Sequence, residues 1–249
     1  MDPLCCIRRC FLMARNEAET RADLINPALA TAGWGVDESR IRHEYPITKG
    51  RIQLGGKRGK QQIADYILEY KGRKLAVIEA KKESLSYTEG VGQAKAYASK
   101  LQIRFTYATN GLKIYQIDMQ TGYEAEIAAY PSPDELWSMT VSEVNELQET
   151  FNEVAYEDKG GQFQPRFYQE LAVNAVLDAI SNDKKRILLT MATGTGKTGV
   201  AFQIAWKLFH SRWNIAGEAK RRPRILFLAD RNILANQAYL AFGAFTDDA

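Results

Sequence analysis

The sequence predicts an α/β protein: a mixed sheet flanked by helices, followed by the first part of a second, parallel α/β domain. In the first half, short strand-like segments that carry carboxylates alternate with amphipathic helices. In the second half, a buried-type strand, a glycine-rich loop and a helix follow one another. We therefore expect four parts: a disordered lead-in over 1–13, a first domain over 14–130, a linker over 131–164 and a partial second domain over 165–249.

The composition is that of an ordinary globular protein, with 33 basic and 30 acidic residues and a net charge of +3. That small charge does not by itself indicate a nucleic-acid partner. All three cysteines, Cys5, Cys6 and Cys10, precede the folded part, so no disulfide framework is expected and a reducing, cytoplasmic location is favoured. No apolar run approaches the ~20 residues of a membrane span.

The first predicted element is a helix that begins at a capping box. Asn16 is followed three residues later by Glu19, the spacing at which each side chain caps the other's backbone. Gly33 and Gly35 end the helix.

Three strands are predicted next, over Ile41–Ile47, Ile63–Tyr70 and Lys74–Lys81. Alternation places Asp65 on one face of the second strand, and Glu79 and Lys81 on one face of the third. A three-residue turn over 71–73 would pair Tyr70 with Lys74, and therefore Asp65 with Glu79.

Asp65 and Glu79 would then have Cβ atoms about 5 Å apart. Two such carboxylates repel each other unless a cation lies between them, and Mg²⁺ prefers one or two carboxylates with water and phosphate oxygens. Lys81 on the same face could stabilise a hydroxide or the charge that builds on a phosphate. The alternative is an edge hairpin with exposed alternating charges.

A basic, glycine-containing segment separates the first two strands. We interpret it as a finger on a DNA phosphate backbone or as a solvated hairpin loop. Its basic residues are Lys49, Arg51, Lys57, Arg58 and Lys60.

Asp65, Glu79 and Lys81 resemble the motif of the PD-(D/E)xK nucleases, with Ala64 in place of the motif's proline. The resemblance implies Mg²⁺-dependent phosphodiester cleavage and a sheet between helices. It also implies that Glu19 could be an additional metal-associated glutamate, beside its capping role.

The next predicted helix, Tyr87–Leu101, carries Gln93 and Tyr97 on one face. They resemble the Gln-x-x-x-Tyr motif of RecB-like members, which implies a role in positioning the site or contacting DNA. Strands over Ile103–Ala108 and Leu112–Ile117 complete the predicted sheet.

The second half contains a phosphate-binding loop. A predicted buried strand, Arg186–Met191, runs into this loop and a helix over Gly199–Phe209, the context that a P-loop requires. In this motif the lysine reaches the terminal phosphates and the following hydroxyl ligates Mg²⁺. The expected ATP-binding residues are Thr193, Gly194, Thr195, Gly196, Lys197 and Thr198.

Two flanking segments resemble superfamily 2 helicases. Arg166 and Gln169 lie in an Arg-x-Tyr-Gln-type element, which implies that Gln169 contacts adenine. A predicted strand over Ile225–Ala229, running into 230–237, resembles the DNA-contacting motif Ia. The sequence ends before a hydrolytic Asp-Glu-x-His-type box or a second lobe, so we expect a truncated chain without ATPase activity of its own.

A nuclease followed by a superfamily 2 motor resembles the restriction (HsdR) subunit of type I restriction–modification enzymes. This implies a type I site-specific deoxyribonuclease dependent on ATP and Mg²⁺, with duplex DNA as substrate. The implied partners are the modification (methyltransferase) and specificity subunits, with S-adenosylmethionine entering only through the methyltransferase. The alternatives are a repair-type helicase–nuclease and a DNA-binding module with an inert nuclease face.

Overall fold

The computed structural model describes residues 14–48, 61–141, 146–158, 164–215, 222–228, 239 and 242–245. Its centre is a six-stranded mixed sheet in the order β1-β2-β3-β4-β5-β6, in which only the β3–β4 pair is parallel. The strands are β1 Ser39–Thr48, β2 Gln62–Tyr70, β3 Arg73–Ala80, β4 Phe105–Thr109, β5 Ile114–Asp118 and β6 Glu124–Ile127. The mixed sheet predicted for the first domain is therefore confirmed, but it has a sixth strand, β6, beyond the five that were predicted.

Helices cover both faces of the sheet. The helices are α1 Glu17–Thr20, α2 Asn26–Thr31, α3 Val91–Leu101, α4 Pro133–Thr140, α5 Glu146–Glu153, α6 Phe167–Ser181 and α7 Lys197–His210. Ile25 and Leu29 of the opening helical segment pack in one core cluster with Leu136 of α4. Ala98 and Leu101 of α3 pack in a second cluster, with Ile67 and Val77. The sheet thus lies between two helical layers.

The β2–β3 hairpin differs from the prediction at its turn. The turn has two residues, Lys71 and Gly72, with φ of 47° and 70°, and it pairs Tyr70 with Arg73 rather than with Lys74. A two-residue turn with both φ values positive matches the right-handed strand twist.

A register shift between Leu68 and Glu69 then restores the predicted alignment. Beyond it the pairs run to Tyr66 with Ile78, one residue short of Asp65 and Glu79. The turn is one residue shorter than predicted, and the register shift compensates for this difference. The alignment beyond the shift is therefore the predicted one, which places Asp65 and Glu79 at neighbouring positions. The shift also moves Leu75 into the first cluster, away from Val77 in the second.

The opening helix begins at the predicted capping box, in which Asn16 and Glu19 each accept from the other's backbone N–H. It is interrupted by a π-helical turn, Arg21–Ile25, before α2 continues. A π turn inserts one residue and so rotates the side chains that follow.

The segment expected to be a linker packs against both neighbours. Leu136 and Trp137 of α4 are buried in the first cluster, so residues 133–140 belong to the core of the first domain. Phe151 of α5 is fully buried with Val173 of α6 and Val200 of α7. The expected boundaries of 131 and 164 therefore enclose ordered helices rather than a spacer.

Helix α6 also contacts the sheet directly. Its first residue, Phe167, packs against the second cluster. The Tyr45 hydroxyl lies 3.2 Å from Oε2 of Glu170, and the Lys74 ammonium also binds that carboxylate. Arg73 lies 3.5 Å from Asp178 further along the helix. The sheet and α6 are thus joined by polar and apolar contacts.

The two strands predicted for the second domain are not formed in the described residues. Residues 186–191 and 222–228 have no strand assignment, and Leu188 is 88% exposed. A parallel strand needs hydrogen-bonded neighbours and cover on both faces. No described segment supplies them, so this part of the prediction is wrong for the structure in hand. The helices α6 and α7 form as expected.

Candidate active site

Asp65 is held at both carboxylate oxygens. Oδ2 accepts the backbone N–H of Ala80 at 2.8 Å, and Oδ1 lies 3.7 Å from Nη1 of Arg21. The side chain is 15% exposed. Burial raises the pKa of Asp65 above its usual value, while the Ala80 hydrogen bond and the charges of Arg21 and Lys81 oppose this shift.

Glu79 is almost fully buried, with 4% of its surface exposed. Oε1 accepts from Nζ of Lys81 at 2.8 Å, but Oε2 is buried and has no hydrogen-bond partner in the described part of the chain. Burial raises the pKa of Glu79 to about 7; Lys81 opposes the shift and the negative charge of Asp65 adds to it. A buried carboxylate oxygen without a donor is costly unless a cation binds it.

Lys81 connects the strand to α3, because its ammonium also donates to Oε1 of Gln93 at 2.8 Å. Burial alone lowers the pKa of Lys81, but the hydrogen bond and charge of Glu79 outweigh it and raise the pKa above its usual value. Tyr97, one turn beyond Gln93, is buried in the second cluster. The structure thus brings Gln93 to Lys81, whereas Tyr97 is part of the hydrophobic core.

Gly90 leaves room for these side chains. A Cβ at this position would lie 3.2 Å from Cγ of Glu79 and 3.6 Å from Cε of Lys81. Because Gly90 has no side chain, the short 3₁₀ turn Tyr87–Gly90 can lie close to Glu79 and Lys81.

The carboxylate oxygens of the site fit one divalent cation. Asp65 and Glu79 supply carboxylate oxygens, the ligands that Mg²⁺ prefers, and Oε2 of Glu79 lacks any other partner among the described residues. No group of three or more His, Cys, Asp or Glu side chains is placed to hold a metal in the described ranges.

The metal role expected for Glu19 is corrected. Its carboxylate is exposed and accepts the Asn16 backbone N–H at 3.0 Å, so it acts as a cap and does not join Asp65 and Glu79. The acidic side chain of α1 whose charge acts on Glu79 and Lys81 is Glu17 instead. Capping geometry decides this, because the N3 side chain must turn back towards the helix start.

Three contributors to the site were missed in the sequence, namely Glu17, Arg21 and Gly90. Glu17 and Arg21 are four residues apart and so share a helix face, which is a usable signal. The signal is ambiguous, because the same spacing is typical of a solvated ion pair. Gly90 has no sequence signature, since its role depends on the approach of β3.

The phosphate loop has the backbone conformation that its glycines allow. Gly194 and Gly196 have φ of 77° and 87°. The Lys197 ammonium donates to the carbonyls of Met191 and Ala192, at 3.0 and 3.1 Å, across the loop. Thr193 and Thr195 lie in this loop, and Thr198 lies in the first turn of α7.

Gln169 contacts the phosphate loop directly. Its Nε2 donates to the Thr195 carbonyl at 2.9 Å, and its Oε1 accepts the Arg166 backbone N–H at 2.9 Å. The Arg166 guanidinium donates to the Tyr168 hydroxyl at 2.8 Å. The structure thus places the predicted adenine-contacting element against the predicted phosphate-binding loop.

Besides the lead-in over 1–13, two groups of predicted residues lie outside the described residues. The first is the proposed DNA-binding set Lys49, Arg51, Lys57, Arg58 and Lys60. The second is the segment 230–237, which resembles motif Ia. Among the described residues, no helix is long and apolar enough to cross a membrane.

The fold and the site together define a class: a nuclease-type α/β domain with a carboxylate–lysine centre, followed by a phosphate-loop segment. Residues 17–131 match the family described as the type I restriction enzyme R protein N terminus (HSDR_N). Residues 162–249 match the family described as the type III restriction enzyme, res subunit.

Similar proteins agree with these matches. The EcoAI type I restriction enzyme endonuclease subunit of Escherichia coli is 39% identical over 88% of this chain and 28% of its own length. The EcoKI endonuclease subunit of Escherichia coli strain K12 is 28% identical over 93% of this chain and 24% of its own length.

A solved fragment described as an HsdR subunit of a type I restriction enzyme from Vibrio vulnificus is 41% identical, with a TM-score of 0.79. It covers 94% of this chain and 44% of that fragment. The chain is thus homologous to the N-terminal part of type I restriction (HsdR) subunits. It spans about a quarter of the length of the two curated relatives.

Proposed function

We propose that the chain is the nuclease and nucleotide-binding part of a type I restriction subunit that cleaves duplex DNA by Mg²⁺-dependent phosphodiester hydrolysis. One observation carries the proposal: the buried Oε2 of Glu79, beside Asp65 and Lys81, has no hydrogen-bond partner among the residues that the structure describes. A cation is the partner that would make such an arrangement stable.

The residues of the site divide the work. Asp65 and Glu79 would hold Mg²⁺, which supplies a coordinated water of lowered pKa and neutralises the scissile phosphate. The Ala80 N–H fixes the orientation of the Asp65 carboxylate. Lys81 is held between Glu79 and Gln93, so its ammonium is positioned to stabilise charge that develops on the phosphate.

The second site would bind ATP. Lys197 and the loop N–H groups would receive the phosphates, Thr198 would ligate the accompanying Mg²⁺, and Gln169 would contact adenine. The Lys197 ammonium donates to two carbonyls of the loop. When nucleotide binds, phosphate oxygens would have to replace these carbonyls as its acceptors.

DNA translocation and the binding of partner subunits concern the full-length subunit and not this chain alone. We propose modification and specificity subunits as partners, with S-adenosylmethionine bound only by the methyltransferase. A cytoplasmic location fits a DNA-cleaving enzyme whose cysteines all lie in its first ten residues.

The test uses the full-length subunit, reassembled with its modification and specificity partners. Asp65→Ala and Lys81→Ala should abolish DNA cleavage while ATPase activity and translocation continue. Lys82→Ala is the matched control, because this neighbouring lysine is exposed and should leave cleavage unchanged. Cleavage that survives Asp65→Ala, or ATPase activity lost with it, would refute the assignment.

A further inference from the structure

Arg21 places a guanidinium between two carboxylates. Its Nη1 lies 3.7 Å from Oδ1 of Asp65 and 3.4 Å from Oε1 of Glu44. The guanidinium carbon lies 5.1 Å from the centroid of the Tyr66 ring, so a cation–π contact also holds it. The side chain is only 18% exposed. Arg21 is therefore a built part of the site and not a mobile surface charge.

Contacts between the opening helical segment and β2 fix this placement. Arg21 opens the π-helical turn, and the residue that follows the turn, Asn26, accepts the Tyr66 hydroxyl at 2.9 Å. Arg21 and Asn26 thus both contact Tyr66, the residue that follows Asp65 in β2. Glu44 has a φ of 51°, a conformation that a residue with a side chain adopts at a cost. Such strain persists where surrounding structure enforces it.

Each carboxylate of the site already has a side-chain cation of its own. Arg21 lies at Asp65 and Lys81 lies at Glu79. Sites that hold two divalent ions keep them about 3.5–4 Å apart and need enough carboxylates for both. The charge of Glu17 acts on Glu79, but the described residues contain no cluster of three or more potential ligands, so Glu17 is not placed to complete a second ion site. The segment 49–60, next to β1, contains no aspartate or glutamate.

We propose that the nuclease site takes a single divalent cation, and that Arg21 supplies at Asp65 the positive charge that a second ion would otherwise bring. This inference rests on the proposed function, since it concerns the same site. Arg21 acts through Asp65 and is a positioning residue. Glu44 is its alternative partner, to which the guanidinium shifts when the cation binds Asp65, because like charges repel.

The number of ions is measured with Mn²⁺ as the probe, by electron paramagnetic resonance on the full-length subunit without nucleotide. The count is the difference between wild type and an Asp65→Asn/Glu79→Gln double variant, which cancels ions bound elsewhere. A difference of one ion supports the inference. A difference of two, with a spin-coupled signal, overturns it and leaves the proposed function standing. No difference overturns the proposed function itself.

The role of Arg21 is measured separately. Arg21→Met keeps an unbranched side chain but removes the guanidinium and its charge, so Mn²⁺ should bind about tenfold more tightly, while kcat for cleavage falls and KM for DNA changes little. Arg21→Lys restores the charge and should return both quantities towards wild type. Unchanged Mn²⁺ affinity in Arg21→Met contradicts the proposal.

Glu44→Gln should change the Mn²⁺ affinity in the opposite direction. Without its alternative partner, Arg21 stays at Asp65, and Mn²⁺ should bind more weakly than in wild type. In an Arg21→Met background the same substitution should have a much smaller effect, because its action passes through Arg21. Equal effects in both backgrounds would show that Glu44 acts on the ion independently and would refute the exchange.

Discussion

The main chain of Gly90 lies against the side chain of Glu79, so closely that a Cβ on the glycine would be 3.2 Å from Cγ of the glutamate. We expect Gly90→Ala to displace Glu79 by a few tenths of an ångström and to reduce cleavage at least about tenfold, because catalytic rates are sensitive to such shifts. Gly92→Ala is the control, since nothing lies within 4 Å of a Cβ there. Equal cleavage by both variants in a plasmid-nicking assay would contradict the prediction.

The stability of the metal-free protein should depend on Glu79 and on pH. The pKa of Glu79 is raised from 4.5 to about 7, so the folded state holds this proton more tightly than the unfolded state does. Its contribution to stability is therefore full below pH 4.5 and is lost as the pH rises through 7.

Glu79→Gln removes that loss. At pH 8 in a chelator the variant should be more stable than wild type by roughly 3 kcal/mol, and the difference should vanish near pH 4. Thermal unfolding across this pH range measures it. Glu89→Gln, at an exposed neighbouring position, should show no such trend. A constant difference at every pH would count against burial as the cause.

Nucleotide binding should depend on Gly196. A Cβ there would lie 2.5 Å from Nε2 of Gln169, and the residue has a φ of 87°. Gly196→Ala should weaken binding of a fluorescent ATP analogue at least about tenfold, because it strains the loop and displaces Gln169. Gly199→Ala, two residues into α7 and without neighbours within 4 Å, should bind normally. Normal binding by Gly196→Ala would mean that the loop adopts another conformation with nucleotide.

The hairpin turn should tolerate no side chain at Gly72. A Cβ would lie 2.8 Å from the carbonyl oxygen of Asn152 in α5, and φ is 70°. Gly122 has a similar φ of 76° but nothing within 4 Å, so Gly122→Ala measures the backbone cost alone. Gly72→Ala should destabilise the protein by a further 1–3 kcal/mol or so beyond that control, and should speed hydrogen exchange in α5. Equal effects would mean that α5 moves aside freely.

The sequence predicts the sheet and the pairing of Asp65 with Glu79 because strand alternation is a local property. Asn16 and Glu19 are likewise local, and the capping box forms as predicted. The turn was wrong by one residue, since turn length depends on the backbone conformations of Lys71 and Gly72. A compensating shift in the same hairpin preserved the alignment.

The contribution of Gly90 could not be predicted, and Arg21 had only the ambiguous signal of its spacing from Glu17, because both contributions depend on how distant elements approach the site. The π turn that aims Arg21 has no reliable sequence signal. The strand expected at 186–191, and the described part (225–228) of the one expected at 225–229, did not form, for a related reason. Apolar patterning shows that a segment prefers burial, but a parallel strand forms only where neighbours pair with it.

The contact of Glu170 with Lys74 and Tyr45 has a consequence for dissecting the protein. Lys74 is largely buried, and its carboxylate partner lies on α6, well past the expected end of the first domain. A nuclease fragment that ends at residue 130 or 158 would lack Glu170, the counter-ion of this ammonium. It would also expose the part of the second cluster that Phe167 covers. A minimal stand-alone nuclease made from this chain should therefore retain residues up to 181, or replace Lys74 with an uncharged side chain.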